Sequence, residues 1–217
     1  MFDFSLLITT FVALFVIIDP IGLTPVFMTM TSGMTPQRRR SISLRACIIG
    51  AAILCMFGIL GDSVLRFLGI SLDAFRVAGG ILLFLTALDM LFERRSKRRQ
   101  DQADAAQADD DVNDDPSIFP LAIPLIAGPG SIATIILLTG QIENDPWLYV
   151  SYIGVMLVVV CVVFLMFLAA PTLERLLGDT GILVASRLLG MLLAALSVQF
   201  VLDGVAGFMS SGITPLH

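Results

Sequence analysis

The sequence predicts an all-α integral membrane protein of six transmembrane helices, laid out as two inverted three-helix repeats with a broken first helix in each. Composition is the first reason. Of 217 residues, 57% are hydrophobic and 14% charged, with a mean hydropathy of +0.93. Soluble domains run at about 45–50% apolar and about 25% charged, so an ordinary water-soluble globule is nearly excluded. The second reason is six apolar stretches, near 4–30, 42–60, 74–92, 118–140, 147–170 and 182–208. Each suffices to cross about 30 Å of hydrocarbon, where backbone groups must bond internally and so form helices. The third is a recurrence of proline and glycine breaks at one spacing.

The first run follows Met1-Phe2-Asp3-Phe4. No basic segment precedes it and no small-residue cleavage site interrupts it before Asp19, so it reads as a retained span rather than a cleaved signal peptide. The next connection holds Arg38, Arg39 and Arg40, with Arg45 just inside the second span. The third connection holds Arg94, Arg95, Lys97, Arg98 and Arg99, and the fifth holds Arg175 and Arg187. Together these carry 11 of the 13 basic residues, which makes their side cytoplasmic and puts both termini outside. Only Arg66 and Arg76 fall outside. Trp147, Tyr149 and Tyr152 suit an interfacial aromatic belt.

Residues 1–92 form the first repeat, 93–117 a charged cytoplasmic linker and 118–217 the second repeat. The linker lacks apolar periodicity, so disorder is its default reading. Its seven acids from Asp101 to Asp115 leave the rest of a −5 chain at +2. The acidic balance therefore says nothing about an acidic site.

Pro20 and Pro129 are 109 positions apart, as are Arg66-Phe67-Leu68-Gly69 and Arg175-Leu176-Leu177-Gly178; Arg76-Val77-Ala78-Gly79 precedes Arg187-Leu188-Leu189-Gly190 by 111. Three crossings per half give the halves opposite orientations, a transporter plan with the substrate near the midplane. The bland alternative is that these residues only cap and pack helices.

Each break reads as the start of a half-helix. Proline favours the first helical position, with Asp or Gly before it. A half-helix start offers free amides and partial positive charge, an anion site. Gly128, Pro129, Gly130 and Ser131 would hold a carboxylate. Around Asp19, Pro20, Gly22, Thr24 and Pro25, the Asp19 carboxylate would hold an ammonium group, a proton or Na⁺, with hydroxyls from Thr24, Ser131 and Thr134. Together these suit a small zwitterion; the alternative is that Asp19 only caps and the prolines only kink. Asp89 and Asp203 read as interfacial, and Gln199 as a weaker pore-lining candidate.

Cys47, Cys55 and Cys161 each lie in apolar runs, and the one histidine is His217. A structural zinc site is therefore not expected. No hydrolase, phosphate-loop or dinucleotide motif is present, and the reading is not an enzyme. Nothing asks for a nucleic-acid partner; the oligomeric state is not legible.

The segments Asp19-Pro20-Ile21-Gly22-Leu23-Thr24-Pro25-Val26-Phe27 and Pro120-Leu121-Ala122-Ile123-Pro124-Leu125-Ile126-Ala127-Gly128-Pro129-Gly130-Ser131-Ile132 resemble the MarC family of bacterial inner-membrane proteins. The resemblance covers essentially the whole chain; the long acidic linker departs from shorter members. It implies a relation to transporters of small neutral amino acids such as glycine and alanine. The expected function is then a secondary transporter working by alternating access, coupled to H⁺ or Na⁺, with no further cofactor. The alternative is a non-transporting membrane protein that binds a partner or lipid through the linker.

Overall fold

A computed structural model describes residues 4–95, 97–101, 115–140, 142 and 145–210. The acidic stretch 102–114 and both chain ends, on which the linker and terminus expectations bear, lie outside the described residues. Helices are α1 (Phe4–Ile18), α2 (Pro20–Met30), α3 (Pro36–Phe67), α4 (Leu72–Leu91) and α5 (Pro129–Gly140). The run Pro146–Ser210 breaks at Gly178 into two spans, α6 (Pro146–Leu173) and α7 (Thr180–Ser210). No strand occurs among the described residues.

Local chemistry sets these boundaries. The side chains of Thr35, Ser71 and Asp145 accept amide hydrogens from Arg38, Ala74 and Trp147 in the first turns that follow, and Pro36 follows Thr35 as the first helical residue. Gly69 and Gly178, paired in sequence, both adopt positive φ, 71° and 58°. Positive φ of this kind is tolerated by glycine far better than by other residues, so each glycine lies where the chain leaves one span for the next.

Five helices are long and apolar enough to span a membrane, counting α1 and α2 as one span, Leu6–Met30. A sixth arises if Ser117–Ile126 and α5 form one span bent by 54°. Pro120-Leu121-Ala122-Ile123-Pro124 breaks helix rules in the sequence, and the segment is irregular in the structure. Phe119 and Ile123 are extended inside it, and the peptides before Pro120 and Pro124 are cis. Proline restricts its predecessor to extended backbone, and two prolines four apart do so twice.

One core centres on α2: Leu23 and Phe27 pack with Leu54, Leu121, Ile126 and Met156. Phe27 stacks on Phe167 at 4.3 Å. A second core joins Val16, Ile17, Leu83, Ala87, Met90 and Leu193. Antiparallel α4 and α7 approach through small residues. A Cβ on Gly80 would lie 2.8 Å from Ser197 O and Val201 Cγ2; one on Gly204 would lie 2.8 Å from Asp73 O and Val77 Cγ2. This exchange pairs Gly80 with Gly204, 124 positions apart, whereas the sequence match at 111 paired Gly79 with Gly190. Gly190 sits instead against Met90 and Ala87.

Ile48, Met56, Ile59, Leu60 and Leu165 point outward, as lipid-facing surfaces require. The aromatic belt reduces to Trp147. Tyr149 turns inward to donate to Gly58 O at 2.8 Å, and Tyr152 is buried. The arginines off the basic side have their own acids, Arg66 with Asp62 at 2.8 Å and Arg76 with Asp73 at 3.5 Å.

Candidate functional site

The break in the first span is built around Asp19. Its backbone is left-handed, φ 58° and ψ 66°, a conformation that Asp tolerates better than most residues. In an unbroken helix the Gly22 amide would serve Ile18 O. Here it donates to Asp19 Oδ1 at 3.0 Å. A Cβ on Gly22 would lie 2.2 Å from Asp19 Oδ2, so the cap requires glycine. The carbonyls at the end of α1 then need other donors. Arg99 supplies one, with Nη2 donating to Ile18 O at 3.3 Å and Nη1 to Asp19 Oδ2 at 3.0 Å. Arg95 Nη2 donates to Ile17 O at 2.7 Å.

These arginines come from the expected disordered linker. Residues 94–95 and 97–101 are instead helical, and Arg99 is buried at 5% exposure. The basic half of the linker therefore belongs to the fold, because it satisfies a broken helix end and a buried carboxylate.

The second break is a tight turn. Gly128 N–H donates to Ser131 Oγ at 2.9 Å, and that hydroxyl lies 2.8 Å from its acceptor Ile126 O. A Cβ on Gly128 would lie 2.5 Å from Pro124 O. The amides of Gly130 and Ser131 stand in the first turn of α5 and have no intrahelical acceptor.

Between the breaks lies a cavity of about 280 Å³. One wall is Gly128, Pro129, Gly130 and Ser131 with Pro124 and Leu125; another is Leu82, Thr86 and Asp89 of α4 with Ile17 of α1; Arg95, Arg98 and Arg99 complete it. Arg98 pairs with Asp89 at 2.9 Å and Arg99 with Asp19 at 3.0 Å. Among the described residues no carboxylate is within ion-pair distance of Arg95. Burial, then the proximity of Arg99, push its guanidinium down to about 9, so it remains charged at neutral pH. Arg95, whose Nη1 also lies 3.0 Å from Met90 Sδ, and the α5 amides give the cavity a positively polarised side.

The structure thus brings together Gly128, Pro129, Gly130 and Ser131, as expected, but with different partners. Asp19 stands behind Arg99, already capping and already paired. Pro20, Gly22 and Thr24 are buried in the α2 core and Pro25 is half-buried. The expected hydroxyl ligands have spent their hydrogens on backbone: Thr24 on Pro20 O at 3.0 Å, Thr134 on Gly130 O at 2.9 Å, and Ser131 within its turn. Gln199 donates to Asp203 on an exposed face and is not among the residues that line this cavity. Asp89, assigned to the interface, lines the cavity. In the sequence Arg95, Arg98 and Arg99 serve only as a topology signal. Their i, i+3, i+4 spacing, which gathers side chains on one helix face, was the available clue. No group of three His, Cys, Asp or Glu side chains suited to a metal ion occurs among the described residues.

The model of the MarC family integral membrane proteins matches residues 4–209. The chain belongs to the MarC family. Its MarC relatives include the UPF0056 membrane protein YhcE of Escherichia coli (strain K12), 35% identical over 95% of this chain and 94% of YhcE. A second is the UPF0056 membrane protein MJ1677 of Methanocaldococcus jannaschii, 34% identical over 94% of this chain and 98% of its own. A third, from Archaeoglobus fulgidus, is 37% identical over 93% of each. No solved structure matches this MarC chain.

Proposed function

We propose that this multi-pass membrane protein is a secondary transporter of small neutral amino acids of the glycine and alanine class, coupled to H⁺ or Na⁺. One observation carries the reading: the cavity between the two broken spans is positively polarised at one wall and has a carboxylate at another. The substrate carboxylate would meet the Gly130 and Ser131 amides and Arg95; its ammonium would meet Asp89 once Arg98, which is exposed, swings aside. Ligand pockets commonly measure about 300–1,000 Å³, so this cavity favours a small solute.

Thr24 and Thr29 donate to the carbonyls of Pro20 and Pro25, and Thr134 and Thr139, each 110 positions later, donate to those of Gly130 and Ile135. This supports reading α2 and α5 as related half-helices of inverted repeats that rock against each other. The membrane is the bacterial inner one, with the basic connections cytoplasmic and both termini outside. The test is uptake of labelled glycine and alanine into proteoliposomes, with and without H⁺ or Na⁺ gradients. Flux that depends on a gradient and is lost in Gly130→Leu supports the reading; no flux of any amino acid overturns it. Labelling of single engineered cysteines on each side of the membrane tests the orientation.

A further inference from the structure

The end of α1 is assembled as a cation site. Ile17 O and Ile18 O sit at the negative end of a helix dipole, and the Asp19 carboxylate adjoins them. Broken-helix carbonyls beside a carboxylate are oxygen ligands suited to a small monovalent cation. A guanidinium already fills the position, with Arg99 bonded to Ile18 O and Asp19 Oδ2 at 3.3 and 3.0 Å. Asp19 and Arg99 are 2% and 5% exposed.

We propose that Arg99 is a tethered cation, and that Na⁺ or H⁺ takes the Asp19 site when the basic helix bearing Arg99 withdraws. A buried carboxylate stripped of its partner is strongly unfavourable. Withdrawal of Arg99 therefore requires another positive charge in its place. Cation binding and opening of the basic helix become one event, and the arginine seals the cavity whenever the ion is absent.

The surrounding elements leave few alternative partners. α1, α2, Ser117–Ile126, α5 and α6 contain no Asp, Glu, Lys, Arg or His. Among the described residues, Arg99 pairs with Asp19 and Arg95 lies close to it, while Asp89 and its partner Arg98 line the adjoining cavity. Further bonds of the basic helix, among the described residues, include Arg95 Nη2 to Ile17 O at 2.7 Å. Gln100 donates to Thr29 Oγ1 at 3.3 Å, and Arg98 pairs with Asp89 while exposed.

This deepens the transporter reading, on which it rests for the motion, and its test uses no substrate, so failure of either is seen separately. Purified protein in lipid nanodiscs is unfolded thermally in NaCl and in N-methylglucamine chloride of equal ionic strength, at pH 8 and pH 5. Arg99→Ala should be raised by Na⁺, or by acid, by about 4 °C or more. Wild type and Arg99→Lys should respond to neither, and Asp19→Asn combined with Arg99→Ala should lose the response. Equal midpoints for Arg99→Ala in all four conditions, or an equal response in the double variant, would overturn the proposal. Should Arg99→Ala fail to fold, Gln100→Cys is introduced after the native cysteines are replaced. Its thiol labelling should accelerate as Na⁺ rises or pH falls. A rate independent of both would equally overturn it.

Discussion

Arg99 reaches across 80 positions of sequence to place Nη1 3.0 Å from Oδ2 of Asp19, with both side chains almost wholly out of contact with the surroundings. This bond joins the break in the first span to a segment that composition alone assigns to solvent. It also means that the Asp19 carboxylate is already occupied, which is why the proposed ammonium contact falls to Asp89.

Removing one member of a buried pair leaves the other charged and unpartnered, at a cost of about 3–5 kcal/mol. Asp19→Asn and Arg99→Gln should each destabilise the protein on that scale in lipid nanodiscs. The double variant should be much less destabilised than the sum, because it removes both charges. Additive losses would show that the two residues act separately.

Gly22→Ala places a methyl carbon where Asp19 Oδ2 lies, 2.2 Å away. Loss of a side-chain cap costs about 1 kcal/mol, and displacement of the carboxylate from Arg99 adds to it. Thermal unfolding should show a larger loss for Gly22→Ala than for Gly154→Ala, where a Cβ would meet nothing within 4 Å.

At Gly130 a Cβ would stand 3.3 Å from Leu83 Cδ2 and 3.5 Å from Ile17 Cγ2. Those are flexible side-chain ends, and Ala favours the helix over Gly by about 1 kcal/mol. Gly130→Ala should fold normally and retain much of its substrate binding. Gly130→Leu should lose binding, since its longer side chain must displace Leu83 and the cavity-lining Ile17. Isothermal titration with glycine and alanine distinguishes the two.

Arg98 and Asp89 form a partly exposed pair, and such pairs contribute about 0–1 kcal/mol. Arg98→Ala should therefore leave stability nearly unchanged and should preserve or strengthen binding of a zwitterion. Asp89→Asn should weaken binding by about tenfold or more, in line with a charge-assisted hydrogen bond of about 1.5–3 kcal/mol. Equal binding by wild type and Asp89→Asn would remove Asp89 from substrate recognition.

Much of the fold is legible because its determinants are local. Apolar run lengths set the spans, and Asp19-Pro20, Thr35-Pro36 and Gly128-Pro129 mark helix starts through dihedral limits and caps. The threonine pairs Thr24/Thr29 and Thr134/Thr139 show the same order, one turn from their acceptors. Pro120 and Pro124 mark an interruption in the same local way, whereas the helical basic segment 97–101 and the inward placement of Asp89 depend on distant partners.

The sequence by itself determined that the chain is a helical membrane protein, where its spans lie and where two of them break. Each of those features depends on a few neighbouring residues and on the cost of unbonded backbone in lipid. Only the tertiary structure decided that Arg95 and Arg99 fold back onto the end of α1, that Asp19 is held rather than free, and that Asp89 faces the cavity. A charge run reads as solvated when considered alone. Whether it stays in solvent depends on distant carbonyls and carboxylates left without partners, and only the packed chain brings those into reach.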